Sequence, residues 1–192
     1  KSTQLADIAE WLEGRGAKVV HTREPGGTKL AEQVRGLLLD KHKVSLSSQA
    51  ELLLMFASRS QHLEELIRPA LARGDTVLCD RFTDATWAYQ GGGRGLPREE
   101  IAALEQLVHG DLQPDLTLLL DLPVEEGMKR AAMRSESDRF ERESVAFFER
   151  VRSAYLERAG EESGRFAVID ASQDVEGVWA KIETLLEERL AL

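Results

Sequence analysis

A single cysteine, Cys79, leaves the chain with no internal disulfide to form. That suits a reducing compartment and predicts a fold held together by its core. No apolar run approaches the ~20 residues of a membrane span. The longest candidate, Leu116 to Leu122, is interrupted by Thr117 and Asp121. No signal-peptide pattern is visible. Basic residues are the minority, 25 Lys+Arg against 34 Asp+Glu for a net charge of −9. That balance disfavours bulk binding to nucleic acid or an anionic membrane, yet leaves room for a local basic pocket around a small phosphate ligand. The four histidines, His21, His42, His62 and His109, have no metal-ligand spacing, and no Ser-His-Asp arrangement can be argued. What remains is ordinary globular material: 192 residues, 42% hydrophobic and 31% charged. We expect one domain over 1–192.

Apolar runs alternate with helical periodicity. Leu5, Ile8, Ala9 and Leu12 share one helical face, and Gly14 and Gly16 supply a stop. Residues 17–22 read as a strand, followed by a turn at 23–27 and a helix capped by Thr28 and running to about Leu39. A long helix is expected from about Ser48 to Arg73, with Pro69 kinking its last part. Thr76 to Asp80 and Leu116 to Leu120 read as buried strands, each running into a carboxylate, Asp80 and Asp121. Phe166 to Ile169, followed by Asp170, reads as the last strand. Helices are expected after Pro97 and Pro123, over Phe147–Tyr155, and from Val175 onward. Continuous hydrophobic strands between helices predict an α/β fold with a doubly wound parallel sheet covered on both faces. In such a sheet the ligand site lies beyond the carboxyl ends of the strands. Those ends carry Arg23-Glu24, Asp80-Arg81, Asp121 and Asp170.

Several local patterns fit phosphate chemistry. Lys1-Ser2-Thr3 before a helix matches the tail of a phosphate-binding loop, where Lys is a point charge and the hydroxyl meets Mg²⁺. Asp80-Arg81 pairs a carboxylate able to order a metal shell with a guanidinium able to grip phosphate. A solvated ion pair at a strand end is the plainer alternative. Gln90-Gly91-Gly92-Gly93-Arg94-Gly95 reads as a flexible loop of plain turn glycines, with Gln90 able to read a base edge. Phe56 and Arg59 are three apart on one helix, so they share a face. A core Phe beside a surface Arg satisfies that spacing equally well. Arg130, Arg134, Arg139 and Arg142 lie in a charge-dense stretch that reads either as a mobile lid or as a solvated helix. Cys79, inside a strand, is expected in the core.

Taken in order, Lys1-Ser2-Thr3, Arg23-Glu24-Pro25-Gly26-Gly27-Thr28, Phe56-Ala57-Ser58-Arg59, Asp80-Arg81-Phe82, Ala88-Tyr89-Gln90-Gly91-Gly92-Gly93 and Asp138-Arg139-Phe140-Glu141 resemble bacterial thymidylate kinase along essentially the whole chain. The resemblance implies a P-loop kinase fold with a five-stranded parallel sheet, and transfer of the ATP γ-phosphoryl group to dTMP with Mg²⁺. It implies a cytoplasmic homodimer serving dTTP synthesis. By motif position, Lys1, Ser2 and Thr3 would serve ATP, with Ser2 and Asp80 at the metal, Asp80 directly or through water. Arg81 would bind the dTMP phosphate. Thr86 and Gln90 would meet the thymine, and Tyr89 would pack on the deoxyribose. Arg59 would donate to thymine O4 beneath a stacked ring, either Phe56 or Met55. Glu24 and Arg35 would line the acceptor site. Arg134 and Arg139 resemble lid arginines that, with Lys1 and Arg81, act on the transferring group. The lid would span about 130–142. The opening strand and phosphate-loop glycines of the family are expected before Lys1.

Overall fold

The computed structural model describes residues 2–40, 46–133 and 139–190. Helix α1 (Ser2–Glu13) leads into strand β1 (Val19–Arg23). Helix α2 (Lys29–Leu39) begins where expected, with the Thr28 hydroxyl accepting from the Ala31 amide. Helix α3 (Ser48–His62) is capped by Ser47 in the same way. It widens into a π-helical stretch at Leu63–Ile67 before α4 (Arg68–Ala72). The expected kink thus takes the form of a wider turn. Pro69 has no N–H to return to the residue four back, and the widened turn just before it accommodates the loss.

Strand β2 (Thr76–Asp80) is followed by the short helix α5 (Thr83–Thr86), which continues as a second π-helical stretch at Trp87–Gly93. The glycine run expected as a flexible loop is therefore helical. A Cβ on Gly92 would lie 2.6 Å from the Ala154 Cβ, and one on Gly93 would lie 2.5 Å from the Phe147 ring. These glycines let two helices touch. The remaining elements are α6 (Arg98–Val108), β3 (Thr117–Asp121), α7 (Val124–Ala132), α8 (Val145–Glu161), β4 (Phe166–Asp170) and α9 (Val175–Arg189).

Among the described residues the strands form two parallel ribbons, β1 with β2 and β3 with β4, rather than the expected five-stranded sheet. The register sets Arg23 beside Asp80 and Asp121 beside Asp170, so the charged strand ends meet in pairs. Every residue of β2 and β3 is half-buried, not fully buried as expected, because each of these strands leaves one edge unpaired by another described strand. Cys79 shares this half-buried position instead of lying in the core, with its thiol 3.0 Å from the Arg81 carbonyl. One apolar cluster nevertheless serves both ribbons. Ile8, Trp11 and Leu12 of α1 and Val178, Ile182 and Leu186 of α9 pack with Ile169, against Val19, Leu78, Leu118 and Leu120.

Buried Asp84 receives Arg158 at 3.0 Å and Arg165 at 2.7 Å. That ion cluster ties α5 to α8 and to the start of β4.

Candidate active site

Beyond the end of β2 the chain turns sharply at Arg81, whose φ is +73°; among the described residues no other non-glycine has a positive φ. That conformation is costly for a side-chain-bearing residue and persists where the surroundings impose it, often at functional sites. The Arg81 side chain is exposed, and its guanidinium carbon lies 5.1 Å from the centre of the Tyr89 ring. The guanidinium is held above its ordinary value. The Tyr89 phenol oxygen is the main cause and burial opposes it, with Tyr155 and Asp80 assisting Tyr89. Arg81 thus keeps its charge on an exposed residue at the strand end. Tyr89 itself meets the rings of Phe140, Phe147 and Tyr155 edge-on, at 5.7, 6.2 and 6.4 Å.

A buried polar chain crosses the floor. Thr22 of β1 sits 2.7 Å from His62 Nε2, and His62 Nδ1 sits 3.0 Å from Glu24 Oε1. Arg59 Nε donates to Glu24 Oε2 at 2.7 Å, and Arg59 Nη2 donates to the Thr86 hydroxyl at 3.0 Å. Arg59 is 3% exposed, and its remaining nitrogen, Nη1, is buried with no hydrogen-bond partner. A buried guanidinium donor left over in this way calls for an acceptor. Gly27 lies directly on this chain, with φ +87° and room for no side chain. A Cβ there would come 2.5 Å from the Thr22 hydroxyl and 2.6 Å from His62 Nε2. We expect Gly27→Ala to cost about 1–3 kcal/mol from backbone strain alone, read as a lowered midpoint in urea unfolding; an unchanged midpoint would contradict the packing described.

A second buried carboxylate, Glu51 of α3, is 1% exposed. It accepts from Gln90 Nε2 at 2.7 Å, from Arg94 at 3.2 Å and from Arg139 Nη2 at 2.6 Å. Burial alone would raise its carboxyl. The bonds from Arg94, Gln90 and Arg139 outweigh burial and hold it below the ordinary value of 4.5. The resulting stability is fully present above the unfolded value and is lost as pH falls through the lowered native one. Asp121, held down chiefly by Arg152, follows the same sign. Urea midpoints should therefore be flat above about pH 5 and fall steadily below about pH 4. A midpoint that improved on acidification would overturn this.

The structure brings together Glu24, Arg59, Thr86, Asp80, Arg81, Tyr89 and Gln90. Arg35, on α2, donates to the Pro25 carbonyl at 2.9 Å and so braces the Glu24–Gly27 turn. Phe56 is placed otherwise than expected. At 2% exposure it is packed against Leu52 and Ile101, with the Arg59 guanidinium 4.8 Å from its ring centre. Helix α3 turns that ring inward, where burial favours it, and leaves no free face for a base; Met55 is only half-buried. Arg139, expected in the lid, has its guanidinium on Glu51 and on the Leu38 carbonyl at 2.7 Å. Thr3 is exposed on the first turn of α1, which Ser2 opens. Lys1 and Arg134 lie outside the described residues. His62 and Glu51 were not singled out from sequence, although His62 stands three residues after Arg59 and so on its face.

Parallel strands whose carboxyl ends carry paired charges, an exposed arginine on a strained turn and a buried donor–acceptor wall define a nucleotide-handling α/β protein. A family model described as thymidylate kinase matches residues 1–182. A thymidylate kinase from Pseudomonas syringae pv. syringae (strain B728a) is 59% identical over 192 residues, covering 100% of this chain and 91% of that protein. One from Chromohalobacter salexigens is 60% identical over 193 residues, with the same coverage, 100% and 91%. The crystal structure of thymidylate kinase from Ehrlichia chaffeensis superposes with a TM-score of 0.78 at 33% identity, covering 96% of this chain and 91% of that one. The chain belongs to the thymidylate kinase family and has its P-loop kinase fold.

Proposed function

We infer that this chain is a nucleoside monophosphate kinase that transfers the γ-phosphoryl group of ATP to dTMP, giving dTDP and ADP for dTTP synthesis. The observation that carries the reading, beside family membership, is the buried wall with one spare donor, Arg59 Nη1, and one spare acceptor, Gln90 Oε1. A pyrimidine with a 4-carbonyl and an N3–H offers the matching pair. Exposed Arg81 is the dTMP phosphate ligand in this reading, with Thr86 beside the base and Tyr89 beside the sugar. A tyrosine there would crowd a 2′-hydroxyl and favour deoxyribose. Glu24 and Arg35 hold the acceptor site in shape.

Lys1, Ser2 and Thr3 are proposed for ATP, and Arg134 as a lid cation, while Arg139 is engaged on Glu51 and the Leu38 carbonyl. Phosphoryl transfer of this kind asks for positioning and charge neutralisation rather than covalent chemistry. Lys1, Arg81 and Arg134 would offset the negative charge spread over the transferring oxygens. No group of three or more His, Cys, Asp and Glu able to hold a metal occurs among the described residues. Mg²⁺ carried on substrate phosphates needs only one or two protein oxygens, and a carboxylate at a strand end is such a donor. Asp80, directly or through water, and Ser2 are the residues proposed to hold it. When bound it would screen the phosphates and orient the chain of oxygens.

A single core cluster under both ribbons supports one five-stranded parallel sheet. Leu30 and Leu37 of α2, Leu53 of α3 and Leu107 of α6 are exposed, which supports a homodimer through those helices. Among the described residues no helix is long and apolar enough to cross a membrane, which is compatible with the proposed cytoplasmic setting. The test is steady-state phosphotransfer from ATP to dTMP, dUMP, dCMP and dGMP. Highest kcat/KM with dTMP is expected, and preference for any base other than thymine would overturn the assignment.

A further inference from the structure

We propose that Glu51 is a specificity-determining positioning residue. Its carboxylate fixes the orientation of the Gln90 amide, so that the site presents an acceptor, and not a donor, to the acceptor base. This rests on the reading of the site as a dTMP pocket and assigns a role to a residue outside it.

A free glutamine amide can turn over, exchanging its oxygen for its NH₂ at little cost, and would then serve either kind of base edge. Gln90 is 1% exposed, so bulk solvent does not reach its amide. Its Nε2 meets Glu51 Oε1 at 2.7 Å. An ionised carboxylate only accepts, so the NH₂ must face Glu51 and the oxygen must face away. The oxygen, Oε1, is the atom left buried without a partner. Burial would tend to protonate Glu51 and release this constraint. Arg94 and Arg139 on the same carboxylate prevent it, and the carboxyl is held low. Arg94 is itself held by Glu143 at 2.6 Å, and Arg139 by the Leu38 carbonyl, so both cations are fixed in turn. The four groups come from α3, the π-helical stretch, the turn after it and the segment before α8.

The consequence is discrimination. A thymine or uracil edge meets the fixed acceptor with N3–H and the Arg59 donor with its 4-carbonyl. A cytosine edge sets an N3 lone pair against the amide oxygen and an amino group against the guanidinium. Both contacts are then unpaired inside a buried site, the situation in which polar mismatch discriminates most strongly.

The experiment measures kcat/KM for dTMP and dCMP with the full chain and with Glu51→Gln. That substitution keeps the size but supplies both a donor and an acceptor, so the Gln90 amide is no longer forced. The dTMP/dCMP ratio is expected to fall at least about tenfold, whatever happens to absolute activity. An equal loss for both bases would mean a merely structural role and would overturn the proposal. If the unsubstituted chain does not prefer dTMP, the kinase reading itself fails, which is a separate outcome.

Gln90→Glu tests the same contact with Glu51 in place, should Glu51→Gln not fold. Two facing carboxyls share one proton and separate when it is lost. The introduced carboxyl should therefore make dTMP use fall as pH rises from about 5 to 8, over and above the unsubstituted profile. An unshifted profile in that variant would count against the fixed-amide geometry.

Discussion

Arg81→Ala should lower kcat/KM for dTMP by about 10²–10³-fold while changing ATP affinity little. Three independent features of that residue combine. It stands at the carboxyl end of a parallel strand, where ligands bind in such folds. It holds a φ of +73°, a conformation that favours glycine, yet the position is an arginine. It is an exposed residue, and its guanidinium is held in the charged form beside the Tyr89 phenol. A guanidinium can grip a phosphate with two parallel charge-assisted bonds, a geometry that a lysine cannot reproduce. Arg81→Lys should therefore recover only part of the loss. The check is initial-rate kinetics with dTMP varied at saturating ATP, beside calorimetric titration with ATP alone. Equal losses in both would remove Arg81 from the acceptor site.

The second large effect is on folding. Arg59→Met should destabilise the protein by about 3–5 kcal/mol, the cost typical of breaking a buried ion pair from one side. At this chain length that corresponds to a thermal midpoint lower by roughly 6–20 °C. The reason lies with the partner left behind. Glu24 is 5% exposed and would be left beside His62 Nδ1 at 3.0 Å in place of the guanidinium. Adding Glu24→Gln should return a good part of the loss, because the uncompensated charge is then gone. The double-mutant cycle reads that recovery directly. A single-variant loss below about 1 kcal/mol would place the pair with weak surface bridges instead. Activity should be lost in both variants, since Arg59 also carries the spare donor of the base wall.

Much of this site was legible from residue order. Asp80 and Arg81 could be placed at a strand end because the run before them is hydrophobic and short. Glu24 through Gly27 could be read as a turn at another. The partnerships were less legible. Glu51 looks like any acid in the first turn of a helix, and only the arrival of Gln90, Arg94 and Arg139 from distant segments gives it a role. His62 is an unremarkable position until β1 supplies Thr22 and the following turn supplies Glu24. Phe56 was left between two readings for a related reason. Spacing shows that it shares a face with Arg59 but does not show whether that face meets a ligand or the core. The widened helical turns had no sequence period to betray them, since a π-type turn is set by what the helix packs against. The strands were read as more buried than they are, because hydrophobic content reports what a segment seeks and not which edge is paired.

The contact between the π-helical stretch Trp87–Gly93 and α8 has a consequence for how the pocket can vary. Gly92 and Gly93 bring the backbone of that stretch against Ala154 and the Phe147 ring of α8, with room for no side chain of their own. Tyr89 and Gln90 ride on that stretch, and Tyr155 rides on α8. The spacing across this wall is therefore a gauge cut into the main chain. Substitutions around it can change what the pocket offers a ligand, but its width is set where the two glycines meet Ala154 and Phe147.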